Sequence, residues 1–218
     1  MTQEFCERKW KVASLDSSEN SNATIRRDIL ELNLEDLPHV PDFIWASLPC
    51  QTYSKLAGGM HRSLKNGQLE KTSVAHQHNL LFLKMTKIMY WAKKRHPHLI
   101  VVIENPVGSL HRMPLMEEFS QRFGLGSTQV HYCAFGRDEK KPTMIWTNDF
   151  ALQSNLGIFK CENKCRYYGK KNPVSVRGSH LYDFSVIPPP LAEEVAEYVH
   201  AKFYIDRIRD KKAASPGK

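Results

Sequence analysis

The sequence predicts an α/β protein built on a doubly wound, mostly parallel sheet, and three observations carry that prediction. Two short runs, Phe43-Ile-Trp-Ala-Ser47 and Leu99-Ile-Val-Val-Ile103, are rich in apolar residues without polar alternation, the pattern of strands covered on both faces. Helical spacing of apolar residues lies between them, so strands and helices alternate along the chain. Each run then ends in a polar or Pro-containing turn, Leu48-Pro-Cys-Gln51 after the first and Glu104-Asn-Pro106 after the second. A thiol and a carboxylate are thereby delivered to the carboxyl ends of two strands, the edge of an open α/β sheet where ligands bind.

The elements follow in order. Residues 2–10 read as the last turns of a helix, with Phe5 and Trp10 able to share a face with Cys6. Residues 11–15 read as a strand ending at Asp16, 17–22 as a polar loop, and 25–30 as a short strand or a turn containing Asp28. After the strand 43–47 comes a long polar loop with Gly58, Gly59 and Gly67. Its His61, Arg62, Lys65 and Lys71 are available to a negatively charged ligand. From 76 to 95, Leu80, Leu81, Met85, Ile88, Met89 and Ala92 recur at helical spacing, and Pro97 prevents continuation. Residues 99–103 form the clearest strand. Residues 113–123 predict a helix ended by Gly124, and 129–133 and 144–147 predict strands separated by a charged turn at 136–141. A closing amphipathic helix is expected over 191–205, just after Pro188-Pro-Pro190, and the tail after Arg209 is expected to fray. The domain expectation is one α/β unit over 1–209, carrying a basic, cysteine-containing insertion at 150–182, with a flexible basic tail at 210–218.

A chain of 218 residues with 41% hydrophobic and 25% charged residues suits one domain with a full core. No apolar stretch is long enough to span a bilayer, and the polar N-terminus lacks a signal-peptide pattern. Five cysteines without a secretory signal point to a reducing compartment, so the expectation is an intracellular protein of cytoplasm or nucleus, with no membrane partner. A formal charge of +8 and a pI near 9.2 favour a polyanionic partner.

Cys50 lies between Pro49 and the polar run Gln51-Thr-Tyr-Ser54, which makes its position a loop at a strand end rather than a core site. A thiol there becomes a nucleophile when a helix N-terminus or a basic side chain favours its thiolate; otherwise it is a buried core cysteine. Glu104 directly follows five apolar residues and is expected partly buried at the sheet rim. Burial raises a carboxyl pKa and lets the group donate or hold a proton near neutrality. The plainer reading of Glu104 is a helix cap or a partner of Arg112. A cysteine nucleophile with a glutamate acid is what attack on a pyrimidine ring needs.

These residues resemble a known family. Pro49-Cys50-Gln51 and Glu104-Asn105 resemble the nucleophile and acid motifs of DNA (cytosine-5) methyltransferases, and the fuller runs Trp45-Ala-Ser-Leu-Pro-Cys-Gln-Thr-Tyr-Ser54 and Ile103-Glu-Asn-Pro106 look like its compact phage and algal-virus branch. Tyr132-Cys-Ala-Phe-Gly136, followed by Lys140-Lys-Pro-Thr-Met-Ile-Trp-Thr-Asn148, is similar to a later block of that branch. Ile187-Pro-Pro-Pro-Leu191 resembles the segment before its final helix. The resemblance implies a Rossmann-like class I methyltransferase fold and methyl transfer from S-adenosylmethionine to C5 of cytosine in double-stranded DNA, with the target base flipped out. It implies Cys50 as the nucleophile that adds to C6 and Glu104 as the group that holds or supplies the proton at N3. It further implies Asp16 at the cofactor ribose, Asp28 and Pro49 also on the cofactor, and Gln51, Ser54, Asn105, Arg137, Lys140 and Lys141 on nucleic acid.

The family's pattern is not complete here. It opens with a strand and a Gly-rich turn that cradles the methionine part of the cofactor, whereas residues 1–10 match the helix after that turn. The expected fold is therefore truncated at its first strand, and a catalytically inactive DNA-binding relative is the alternative function. The Gly-x-Gly at 124–126 follows a helix and reads as a helix stop. Leu48 stands where many relatives have Pro. An exocyclic-amino methyltransferase is a further rival, disfavoured by cysteine where that class has an aromatic residue. No metal is expected, although Cys161-x-x-x-Cys165 and His180 are candidate zinc ligands lacking an evident fourth, and a zinc-dependent nucleic-acid module is the last alternative. The preferred reading of that stretch is two reduced thiols in a basic loop with Tyr167 and Tyr168 that touches phosphates. Target sequence, DNA versus RNA and oligomeric state are not legible.

Overall fold

The computed structural model describes residues 1–57, 59–63, 65, 67–162, 165 and 186–213, the side chains of 56 and 207–213 excepted. Among them the chain is a mixed α/β protein with five α-helices and a mixed sheet. It divides into two compact units, one formed by 1–12 with 174–218 and the other by 13–173.

In the first unit, α1 (Thr2–Glu7) lies along α5 (Pro189–Ala213). Trp10 makes the contact specific: its indole Nε1 donates to His200 Nδ1 at 3.1 Å, and its ring meets Phe5 and Phe203 edge-on at 5.3 and 5.5 Å. The closing helix continues to Ala213, past the expected end at 205, and residues 214–218 of the expected tail lie outside the described residues.

The second unit carries the sheet. Strand β3 (Phe43–Ser47) pairs in parallel with β4 (Ile100–Pro106), and β6 (Pro142–Thr147) pairs antiparallel with both β4 and β5 (Gly126–His131). The order is β3-β4-β6-β5, so three strands run one way and only β6 opposes them. The reason is connection length: 48–99 includes the helix α2 (Ser73–Arg95) and allows a parallel return, whereas the short link 132–141 between β5 and β6 favours a reversal. A separate pair, β1 (Leu15–Asp16) with β2 (Ile25–Arg26), is parallel and far shorter than the strand expected over 11–15.

Strand β4 is buried along almost its whole length, as its unbroken apolar run requires. Val101 and Ile103 join Leu48, Tyr53, Phe82, Met85, Met89, Met116 and Phe119 in the main core. Full burial of each large apolar side chain here is worth about 1.5–3 kcal/mol. Helix α2 begins where Thr72 accepts from Ala75 N and ends with Lys93, Lys94 and Arg95 at the negative end of its dipole. Its buried stripe is Ala75, His78, Asn79, Phe82, Met85, Met89 and Ala92; Leu80, expected inside, is 37% exposed. Apolar residues occur all round this helix, so periodicity alone placed the stripe imperfectly.

Helix α3 (Pro114–Phe123) starts at Pro114 and stops at Gly124, whose φ of 78° lets Gly124 and Leu125 both return their N–H groups to Ser120 O. Helix α4 (Phe150–Leu156) was read only as part of the basic insertion; Asp149 caps it by accepting from Ala151 N and Leu152 N.

Candidate functional site

The turn carrying Cys50 follows β3 directly. Cys50 O accepts hydrogen bonds from Tyr53 N at 3.0 Å and Ser54 N at 2.8 Å, which closes the loop tightly. Tyr53 is fully buried and donates its hydroxyl to His78 O in α2, while Thr52 Oγ1 meets His78 Nδ1, each at 2.9 Å. Beyond β4, Gly108 packs so closely that a Cβ there would come within 1.9 Å of Tyr53 O, and Ser109 N donates to that same oxygen. Glycine is required by this approach of backbone to backbone.

Arg62 departs from the sequence expectation. It is 1% exposed rather than available to a ligand. Its Nε donates to Thr52 O at 3.1 Å, its Nη2 to Thr52 Oγ1 and Ala75 O, and its guanidinium stacks over the Tyr53 ring at 4.4 Å. A loop folded back onto a helix must satisfy its buried carbonyls, and a planar group with five donors does this from one side chain. Lys71 is likewise engaged, donating to Gly59 O at 2.6 Å.

Glu104 stands opposite Ser47 in the parallel register of β3 and β4, so the carboxylate and the Cys50 turn leave neighbouring strands at the same edge. The strand extends through Asn105 and Pro106, which pair with Met144 and Thr143 of β6 instead of forming the expected turn. Glu104 is only 4% exposed. Burial pushes its carboxyl above the ordinary value, opposed by the charge of Lys141 and by hydrogen bonds from Tyr132 and Ser47. The Tyr132 hydroxyl donates to Glu104 Oε1 at 2.9 Å, and Tyr132 is itself held well above the ordinary phenol value, first by burial and then by Glu104.

Lys141 completes the group. Its backbone φ of +25° is a sparsely populated conformation for a side-chain-bearing residue. Its ammonium lies 4.3 Å from the centroid of the Tyr132 ring, and its charge acts on both Glu104 and Cys50. Burial lowers the lysine pKa, and the two acidic groups pull it back up. Asn105 Nδ2 donates to Leu48 O at 2.9 Å, tying β4 to the start of the Cys50 turn, while its Oδ1 is buried with no partner among the described residues.

The structure thus gathers Pro49, Cys50, Gln51, Ser54, Glu104, Asn105 and Lys141 along adjoining segments of one sheet edge. Arg137 is engaged by Glu139, with Nε and Nη2 both 2.6 Å from its Oε1. Lys140 sits beside Lys141, and its carbonyl accepts from Tyr132 N. Asp16 and Asp28 make local bonds: Asp16 Oδ1 accepts from Ser18 N at 2.8 Å, and Asp28 Oδ1 accepts from Leu30 N at 2.9 Å. Sequence reasoning missed Arg62 as the support of the loop and Tyr132 as the carboxylate's partner. The Tyr132-Cys133 pair was visible as a motif, but nothing in its spacing assigned the hydroxyl.

Cys161 and Cys165 have their sulfurs 3.5 Å apart, and Cys133 joins them. Burial, followed by the two neighbouring thiols, pushes the Cys133 thiol up to about 12. His180 and the basic residues Lys164, Arg166, Lys170, Lys171 and Arg177, with Tyr167 and Tyr168, lie outside the described residues. Among the described residues, no helix is long and apolar enough to cross a membrane. Comparison with protein-family models and with curated proteins finds no match.

Proposed function

We propose that the chain is a DNA cytosine-5 methyltransferase of Rossmann-like fold in which Cys50 and Glu104 act on the target ring. The observation that carries this reading is the parallel pairing of β3 and β4, which sets Ser47 opposite Glu104 and so brings the Cys50 turn and a buried acid to one sheet edge, with the Lys141 charge acting on both. Three like-directed strands in a mixed sheet are compatible with that fold.

C5 of cytosine is too weak a nucleophile to accept a methyl group unaided. Lys141 favours the Cys50 thiolate, which forms a bond to C6 and drives the displaced electron pair toward C5. Glu104, whose hold on its proton burial strengthens, donates that proton toward N3 and so offsets the negative charge that develops there. Tyr132 fixes the carboxyl that performs this task. After transfer, loss of the C5 proton to a base lets the C6–sulfur bond break and Cys50 leave as thiolate. When bound, S-adenosylmethionine would supply an electrophilic methyl group. The resemblance would put Asp16, at the end of β1, at its ribose hydroxyls and Asp28, after β2, beside its adenine, each with one carboxylate oxygen already accepting a local backbone N–H.

The test uses the purified full chain, duplex DNA and S-adenosylmethionine carrying a labelled methyl group. The reading expects labelled 5-methylcytosine in digested DNA, and none with Cys50→Ala. Label at an exocyclic amine, or full activity in that variant, would overturn it. DNA binding by a folded sample that shows no calorimetric affinity for the cofactor would select the catalytically inactive relative.

A further inference from the structure

We propose that Cys133, Cys161 and Cys165 form a thiolate site for a zinc-class metal ion that fastens the segment after α4 to the wall of the Glu104 site. The three sulfurs come from separated parts of the chain: Cys133 from the 3-10 turn Tyr132–Phe135 after β5, and the other two from beyond α4. All three ligand atoms nonetheless lie within 4.8 Å of one another. Tetrahedral coordination with zinc–sulfur bonds of about 2.3 Å needs sulfurs roughly 3.8 Å apart. The Cys161–Cys165 separation of 3.5 Å is already close to this value, and Cys133 Sγ lies within 4.8 Å of both, so small adjustments complete a three-thiolate face.

The surroundings suit such an ion. The sulfurs line a cleft of about 530 Å³ together with Arg137, Phe159 and Lys160. Lys160 there offsets part of the charge of a thiolate-rich centre, while Arg137 is paired with Glu139, and Asp138 and Glu162 also line the cleft. His131 is committed to orienting the site, because its Nδ1 accepts from Cys161 N at 2.8 Å, which leaves the ring proton on Nε2, 2.9 Å from the side-chain amide of Gln129. Lys160 Nζ also donates to Gln129 O, fixing the same segment against β5. Phe159 stacks on Phe135 with ring centroids 4.5 Å apart, so an apolar clamp already closes the loop beside the thiols.

The position of the cluster gives the ion a purpose. Cys133 directly follows Tyr132, whose hydroxyl holds Glu104. A metal on Cys133 anchors the turn that presents Tyr132, and such a closed site is structural rather than catalytic. The three thiols supply three corners; among the described residues no fourth histidine, cysteine or carboxylate belongs to the group.

The test measures metal content of the reduced full chain by mass spectrometry, together with titration of the metal-free chain by zinc alone and by cobalt alone. We expect one equivalent of zinc, intense sulfur-to-cobalt charge-transfer absorption, and a melting temperature that falls when a chelator removes the ion. Cys133→Ser, Cys161→Ser and Cys165→Ser should each weaken binding roughly tenfold or more, and Cys6→Ser should leave it unchanged. Absence of binding by the folded wild type overturns the proposal, as does a cobalt complex without thiolate bands or binding indifferent to Cys133→Ser. If the serine variants do not fold, the wild-type stoichiometry and cobalt spectrum decide alone. None of these readouts depends on methyl transfer.

Discussion

Tyr132 and Glu104 face each other across β4 and the turn after β5, joined by a 2.9 Å hydrogen bond from the phenol to Oε1 of a carboxyl that is nearly sealed from solvent. This bond opposes the effect of burial. It lowers the Glu104 pKa while burial raises it, and burial prevails.

Tyr132→Phe should therefore raise the Glu104 pKa further and leave a buried oxygen with one donor fewer. The expected stability loss is about 1–3 kcal/mol. A pH profile of methyl transfer checks the assignment: the alkaline decline should move to higher pH. An unmoved profile means that the bond does not tune the acid.

Glu104→Gln tests the carboxyl itself. Its folded pKa lies above the unfolded value of about 4.3, so the folded state binds the proton more tightly. That contribution to stability is fully present below the unfolded value and disappears as pH rises through the folded one. Near neutrality the glutamine variant should be more stable than the parent, by about 1 kcal/mol or 2–4 °C in Tm, while losing transfer activity. Thermal melts at pH 5 and pH 8 measure both signs, and the advantage should be larger at pH 8.

Lys141→Met should slow alkylation of Cys50 by iodoacetamide near neutral pH. Each unit by which the thiol pKa rises without the ammonium removes about tenfold of thiolate. Peptide mapping isolates Cys50 from the other four cysteines. An unchanged rate would show that Lys141 does not activate the thiol.

Arg62→Leu removes the donors to Thr52 O, Thr52 Oγ1 and Ala75 O at once. A loss of about 3 kcal/mol or more is expected by denaturant titration, and Arg62→Lys should recover only part of it. Full recovery by lysine would indicate that charge alone, not the fork, supports the loop.

The elements that sequence exposed most clearly are those whose burial leaves a compositional trace. The apolar run of β4 and the stop at Gly124 were legible because full burial and left-handed backbone each demand particular residue types, whereas β3, expected to be covered on both faces, is an edge strand that is only half-buried, with Ser47 exposed. Strand β4 was read too short, because pairing of Asn105 and Pro106 with β6 is a long-range property that no local pattern records. For the same reason Arg62 read as available to a negatively charged ligand: its acceptors are carbonyls brought near only by folding. Cys50 and Glu104 were singled out from their strand-end positions, whereas Tyr132 and Cys133 acquire their neighbours through the tertiary fold alone.

The central claim is covalent attack by Cys50, and a duplex containing 5-fluorocytosine tests it most directly. Fluorine at C5 cannot leave as a proton would, so on this account the chain should remain attached to the base after methyl transfer. Incubation of the full chain with this DNA and S-adenosylmethionine should give a denaturant-stable adduct that mass spectrometry maps to Cys50 and that Cys50→Ala does not form. A folded wild-type chain that binds both DNA and cofactor yet yields no adduct, or one mapped to another residue, would contradict the account.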